Sequence, residues 1–287
     1  MSLQSEPSLS LVRLPEVTLN VASAGPKDGA LTILLHGFPE FWFGWRHQID
    51  ALARAGLHVV APDQRGYNLS SKPVDIAAYH LDRVADDVIA LADSYGASTF
   101  DVVGHDWGGI VGWWLASRSP DRVRRLVILN APHPDVLASY ARRHPTQALR
   151  VFYFGAFQVP WLPEAGLRAA NFLAMRQALR LTSKAGTFSH ADLNRYCEAW
   201  AQPGALTGML NWYRALRLKD RSERAPIDAS TLIVWGRKDP ALSPRLAAES
   251  LSLCTQGRIE WLPAATHWLH HEEPDRVSAA LTSFLGS

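Results

Sequence analysis

The stretch Phe100-Asp101-Val102-Val103-Gly104-His105-Asp106-Trp107-Gly108-Gly109, continued by Ile110 to Ser117, decides how this chain folds. Phe100 to Val103 is an apolar run of strand length, and Ile110 to Ser117 continues with helical character. The change falls across a few glycine-rich residues, so the chain turns sharply from strand to helix with Asp106 at the corner. Gly104 and Gly108 stand two before and two after that aspartate, where such a turn has no room for side chains, and the central side chain is pushed out above the sheet. An aspartate held there is a carboxylate nucleophile. It attacks saturated carbon and leaves an alkyl ester, whereas serine would suit acyl transfer. The plainer reading of the same residues is a tight turn whose aspartate caps the following helix, so the rest of the chain has to decide.

Outward from this corner, apolar runs recur at Leu31 to Leu35, His58 to Ala61, Arg125 to Leu129, Thr231 to Trp235 and Ile259 to Leu262. Each ends in turn-forming or polar residues and reads as a buried parallel strand. Helical segments lie between them, such as Trp45, Ile49 and Leu52 ending near Gly56, and Leu81, Val84, Val88 and Leu91 ending near Gly96. The alternation predicts an α/β fold with a mostly parallel, doubly wound sheet. After Pro132 it stops, and an aromatic-rich, helix-like interval follows until Thr231 resumes the strand pattern. The expected organisation is a first core part over 1–132, an inserted helical cap over 133–218 and a second core part over 219–287. A last helix through Val277, Ala280, Leu281, Phe284 and Leu285 closes the core.

A chain of 287 residues suits one large core with an insertion. Hydrophobic residues at 47% and charged residues at 20% are ordinary globular usage, which argues against disorder. Lys and Arg number 29 against 27 acidic residues, and no basic run could follow a phosphate backbone, which argues against a nucleic-acid partner. Met1 to Leu11 has no signal-peptide pattern, and no stretch of about 18 apolar residues occurs, so no membrane association is expected. Cys197 and Cys254 are too few for a disulfide framework and lack zinc-site spacing. A cytoplasmic protein without a metal fits these counts, and a homodimer is left open.

A carboxylate nucleophile needs a base to activate the water that later frees it. At a corner of this kind the partners follow in chain order, an acid just after a later strand and a histidine in a loop near the C-terminus. Asp239 stands in Trp235-Gly236-Arg237-Lys238-Asp239-Pro240, and His267 in Pro263-Ala264-Ala265-Thr266-His267-Trp268. A histidine near its ordinary pKa takes a proton from water, and a carboxylate on its other nitrogen fixes tautomer and orientation. His270 and His271 are nearby rivals, but beside Glu272 and Glu273 they read as a solvated polar face. Asp135, after the strand ending at Leu129, is a rival acid. His36-Gly37-Phe38-Pro39-Glu40 follows the strand Leu31 to Leu35, and the backbone N–H groups of Phe38 and Trp107 are the expected oxyanion hole.

Taken together, His36-Gly37-Phe38-Pro39-Glu40, Asp63-Gln64-Arg65-Gly66-Tyr67, Gly104-His105-Asp106-Trp107-Gly108-Gly109, Asp239 and His267 resemble the epoxide hydrolases of the α/β-hydrolase fold. The resemblance spans nearly the whole chain. It implies two cap tyrosines that hydrogen-bond the epoxide oxygen, and two segments match that pattern: Phe152-Tyr153-Phe154-Gly155-Ala156-Phe157-Gln158-Val159-Pro160 and Leu210-Asn211-Trp212-Tyr213-Arg214. These nominate Tyr153 and Tyr213. A strained ether leaves poorly until its oxygen receives a proton, and a phenol of pKa about 10 carries one at neutral pH.

The implied reaction opens a small apolar epoxide with water to a vicinal diol and needs no cofactor. Phe38, Trp107 and Trp212 are expected to bind substrate, while Trp113 and Trp114 belong either to the pocket or to the core. A haloalkane or haloacetate dehalogenase would use the same aspartate, base and acid. Such an enzyme is expected to carry a polar halide-binding residue where Phe38 stands, or an arginine close after the nucleophile, and not to need the cap tyrosines. A non-catalytic ligand-binding protein on the same fold would have no need of nucleophile, acid and base at matched positions.

Overall fold

The computed structural model describes residues 7–218 and 226–286. Its sheet comprises β1 (Ser8–Arg13), β2 (Thr18–Ala24), β3 (Leu31–Leu35), β4 (His58–Pro62), β5 (Phe100–His105), β6 (Val123–Leu129), β7 (Ser230–Gly236) and β8 (Gly257–Leu262). The spatial order is β1-β2-β4-β3-β5-β6-β7-β8. β2 pairs antiparallel with both β1 and β4, and the remaining pairings are parallel. The six expected strands fall within β3 to β8, whereas β1 and β2 lie outside them. β1 is an edge strand exposed on both faces, Ser8, Leu9, Ser10 and Leu11 all lying in solvent, and so lacks the continuous apolar run that marks a strand covered on both faces.

Among the described residues three α-helices precede β6: α1 (Arg46–Arg54), α2 (Leu81–Ser94) and α3 (Trp107–Arg118). Between β6 and β7 the chain runs through α4 (Pro134–Arg143), α5 (Pro145–Arg150), α6 (Tyr153–Ala156), α7 (Leu162–Thr182), α8 (His190–Ala201) and α9 (Ala205–Ala215), with no strand among the described residues. α10 (Arg245–Leu251), α11 (Leu269–Glu272) and α12 (Pro274–Leu285) complete the chain. The expected start of the second core part, at residue 219, falls outside the described residues.

Successive residues of the central strands feed opposite faces of the sheet. Ile33, Val60, Val102, Leu126 and Ile233 share one core with Val84, Val88 and Leu91 of α2 and Val111 and Leu115 of α3. Leu34, Val59, Val103, Val127 and Leu232 share the other with Ile49 and Leu52 of α1 and Val277 and Leu281 of α12. Fully burying each such side chain contributes about 1.5–3 kcal/mol, so a sheet covered on both faces is a rigid base for the loops at its strand ends. No helix among the described residues is long and apolar enough to cross a membrane.

α7 is broken in the middle. Ala170, Asn171 and Phe172 have φ of 48°, 55° and 59°, a left-handed turn that separates two helical pieces. Phe172 is buried there and packs against Trp200 of α8 at a ring separation of 5.7 Å, which anchors the break.

Candidate active site

Asp106 occupies the corner between β5 and α3 with φ 49° and ψ −120°. Non-glycine residues seldom adopt positive φ, and the strain costs on the order of 1–3 kcal/mol. The surrounding packing enforces it. A Cβ at Gly104 would lie 2.3 Å from the Gly108 carbonyl oxygen, and one at Gly108 would lie 2.0 Å from that of Leu35. Glycine at both positions therefore lets α3 start directly against β3 and β5. The Phe38 N–H donates to Asp106 Oδ1 at 2.9 Å, and Trp107 opens α3, where helix geometry leaves backbone N–H groups without intrahelical partners.

Asp106 Oδ2 lies 3.6 Å from His267 Nε2, and His267 Nδ1 lies 2.7 Å from Asp239 Oδ2. Asp239 is itself fixed: its Oδ1 accepts the N–H groups of Ala241 and Leu242 at 2.7 and 2.9 Å, and its Oδ2 accepts Asn130 Nδ2 at 2.6 Å. Asn130 also donates to the Thr266 carbonyl at 3.1 Å and accepts the Gly236 N–H at 2.7 Å. It thereby ties the end of β6 to the loops carrying the acid and the histidine. No role for Asn130 was legible in the sequence, although it stands directly after the strand where a rival acid was sought. That rival, Asp135, instead sits at the start of α4 beside His133 with its side chain 60% exposed.

Electrostatics couple the three groups. Burial alone would lower the His267 pKa, but the carboxylates of Asp239 and Asp106 raise it from 6.5 to about 10. Burial would likewise raise Asp106, yet contact with His267 and the Phe38 N–H brings its carboxyl below its ordinary value. At neutral pH the pair is a carboxylate facing an imidazolium.

His270 and His271 are not on a solvated face, contrary to the expectation from their acidic neighbours. Both are buried, because Glu40 reaches them from the loop after β3. Glu40 Oε1 contacts His271 Nε2 at 2.6 Å and accepts the Tyr196 hydroxyl at 2.7 Å, while Oε2 lies 3.1 Å from His270 Nε2 and 3.2 Å from His105 Nδ1. Burial opposes a charge on Glu40, but the imidazoles around it hold its carboxyl well below the usual range. Glu40, His105 and His270 form the one cluster among the described residues compact enough to hold a metal ion, and their polar atoms already bond one another. His105 Nε2 lies 2.9 Å from the His267 carbonyl oxygen, which connects this buried cluster to the loop bearing the base.

Opposite Asp106, the helices between β6 and β7 help enclose a cavity of about 670 Å³ lined mainly by apolar side chains. Asp106, His267, Phe38, Trp107, Tyr153 and Tyr213 all border it. The Tyr153 and Tyr213 rings stand 6.1 Å apart. Burial and the nearby Asp106 carboxylate push the Tyr153 hydroxyl above its ordinary pKa, and burial, Tyr153 and Asp106 push Tyr213 well above it, so both carry protons at neutral pH. Trp212, expected to bind substrate, does not border the cavity. It lies behind Trp107 and Tyr67, with its Nε1 donating to the Arg65 carbonyl at 3.0 Å. Trp113 and Trp114 are core residues that donate to the Ala131 carbonyl and to Asp82.

Comparison with known proteins places this geometry among relatives. The family model for the alpha/beta hydrolase fold matches residues 32–274. The chain is 44% identical over 270 residues to the AB hydrolase superfamily protein YfhM of Bacillus subtilis, covering 94% of each. It is 35% identical over 296 residues to human Epoxide hydrolase 4, covering 98% of this chain and 80% of that one. Among solved structures, a Bacillus megaterium epoxide hydrolase in complex with an inhibitor superposes with a TM-score of 0.88 at 30% identity, covering 97% of this chain and 100% of the other.

Proposed function

The chain belongs to the α/β-hydrolase-fold family, and from that premise we propose that it is an epoxide hydrolase working through a covalent ester on Asp106. The observation that carries the proposal is the facing arrangement of Asp106, backed by His267 and Asp239, and two protonated tyrosines across an apolar cavity. Asp106 Oδ1 is held by the Phe38 N–H, which leaves Oδ2 to attack an epoxide carbon. As the C–Oδ2 bond forms, the ring C–O bond breaks, and the departing oxygen takes a proton from Tyr153 or Tyr213. The other phenol donates a hydrogen bond to the same oxygen.

Esterification removes the negative charge of Asp106, one of the two carboxylates that hold His267 protonated. The imidazole pKa then falls, its proton passes through solvent to the tyrosinate left by ring opening, and the neutral His267 becomes the base for the second step. It takes a proton from water, whose oxygen adds to the Asp106 ester carbon. Charge gathers on Oδ1, where the Phe38 and Trp107 N–H groups meet it; one such donor contributes roughly 3 kcal/mol. Collapse breaks the ester C–O bond, the departing alkoxide takes the proton of the added hydroxyl, and release of the diol leaves Asp106 ionised and His267 protonated as at the start. Phe38 presents an apolar ring rather than a halide donor, which disfavours dehalogenation. The two free cysteines suit a reducing cytoplasm.

Single-turnover hydrolysis in heavy-oxygen water tests the scheme. The label is expected in the Asp106 side chain and not in the first diol. Label in the diol with none in Asp106 would refute the covalent route.

A further inference from the structure

Arg214 follows Tyr213 in the chain but does not border the cavity, and it is buried against the cap. Every N–H of its guanidinium has an acceptor. Nε donates to the Phe157 carbonyl at 3.1 Å and Nη2 to the Val159 carbonyl at 2.9 Å. Nη1 and Nη2 pair with Glu164 at 2.8 and 3.1 Å, and Nη1 also donates to Asn211 at 3.1 Å. Gln158 makes a second tie, its Nε2 donating to the Tyr213 carbonyl at 2.8 Å and to that of Phe154 at 3.0 Å. The segment after Tyr153 is thus fastened to the helix that carries Tyr213 by two side chains whose acceptors are mostly backbone oxygens.

Backbone carbonyls move only with the chain, so these bonds fix one main-chain segment relative to another. Tyr153 sits on α6, a single helical turn that could not hold its place alone. From this geometry we infer that Arg214, latched by Glu164, is a positioning residue for epoxide opening: it sets the spacing of the Tyr153 and Tyr213 hydroxyls. The inference rests on the reading of those tyrosines as the donors to the epoxide oxygen. Two phenols have to meet one oxygen during ring opening, whereas hydrolysis of the ester depends on His267 on the opposite wall. Loosening the clamp therefore slows the first step and spares the second. A residue that merely stabilises the cap would show no such split.

Single-turnover reactions with styrene oxide, quenched in acid and read by intact-protein mass, separate the two rates. Arg214→Lys breaks the planar fork, and Glu164→Gln, the milder change, removes the latch charge and carries the test if the first variant does not fold. In each folded variant, adduct formation is expected to slow about 10-fold or more, with adduct hydrolysis within about threefold of the unaltered protein. Unchanged adduct formation, or both steps slowing in proportion, would overturn the inference. Tyr153→Phe and Tyr213→Phe in the same assay locate a failure. If they slow adduct formation and the clamp variants do not, only the clamp falls; if they too leave it unchanged, the reading of the tyrosines falls with it.

Discussion

Gly37 is the position where a single added carbon should report most directly on the site. A Cβ built there would lie 2.4 Å from Asp106 Cβ, 2.5 Å from its Oδ1 and 2.8 Å from its Cγ, so its three nearest neighbours all belong to the nucleophile. Carbon atoms rest about 3.5–4.0 Å apart, which leaves the Gly37→Ala side chain more than 1 Å too close. Asp106 is held by the α3 start and the Phe38 N–H, so either the carboxylate or the loop carrying that donor has to shift by about 1 Å, and such a misplacement costs about 100-fold in rate. Overpacking adds about 1–3 kcal/mol of lost stability. Both steps use the displaced groups, so adduct formation and adduct hydrolysis should slow together in single-turnover assays, with the thermal midpoint followed in parallel. Gly166→Ala is the control: nothing lies within 4 Å of its added carbon, so the rates should not change. Adduct formation in Gly37→Ala within about threefold of the unaltered rate would refute the argument that this glycine is required by the nucleophile's position.

Four further outcomes follow from the same geometry. His267→Gln should accumulate an Asp106 adduct whose added mass equals the whole epoxide; protein left unmodified after prolonged exposure would contradict the role given to His267. The folded pKa of His267 is raised from 6.5 to about 10, so its stabilising contribution is complete below about 6.5 and fades as pH rises through about 10. The difference in thermal midpoint between the protein and His267→Gln should accordingly shrink across that window, and a constant offset would argue against the ion pair. Replacing both Tyr153 and Tyr213 with Phe should slow adduct formation at least about 100-fold, and near-normal formation would mean the acids lie elsewhere. Asn130→Ala leaves the Gly236 N–H without its acceptor and Asp239 Oδ2 without one donor, so calorimetry should show a loss of about 1–3 kcal/mol or more; an unchanged midpoint would remove Asn130 from the site's support.

How much of this was readable from the chain depended on whether the governing interactions were local. Parallel strands buried on both faces announce themselves as apolar runs, and β3 to β8 fell within a few residues of their expected bounds. β1 and β2 pair antiparallel at the edge, β1 is exposed on both faces and β2 is interrupted by Asn20 and Ser23, so neither offered such a run. Asp106, Asp239 and His267 were nominated by their place after strands, and the fold brings those strand ends together. The errors arose where a distant residue set the environment. His270 and His271 looked solvated beside Glu272 and Glu273, but Glu40, some 230 positions earlier, draws them inside. The His-Gly-Phe-Pro-Glu run held a clue, since a carboxylate in an apolar, proline-bent turn requires buried partners. Trp212 reads as a pocket residue by its place among the tryptophans, yet its indole is committed to the Arg65 carbonyl and packs behind Trp107.

The left-handed turn inside α7 bears on how the enzyme could change its preferences. Leu167 before the break and Ala174, Met175 and Ala178 after it all face the cavity, so one wall is built from two short rods rather than one. Short helical pieces fray readily, and we expect amides around Ala170 to exchange with solvent far faster than those of β5, which hydrogen-exchange mass spectrometry can check. Evolution then has a pliable wall and a stiff seat in the same chamber. Substitutions along the two rods can reshape the space offered to bulky or slender epoxides while the chemistry at the far end stays as it was.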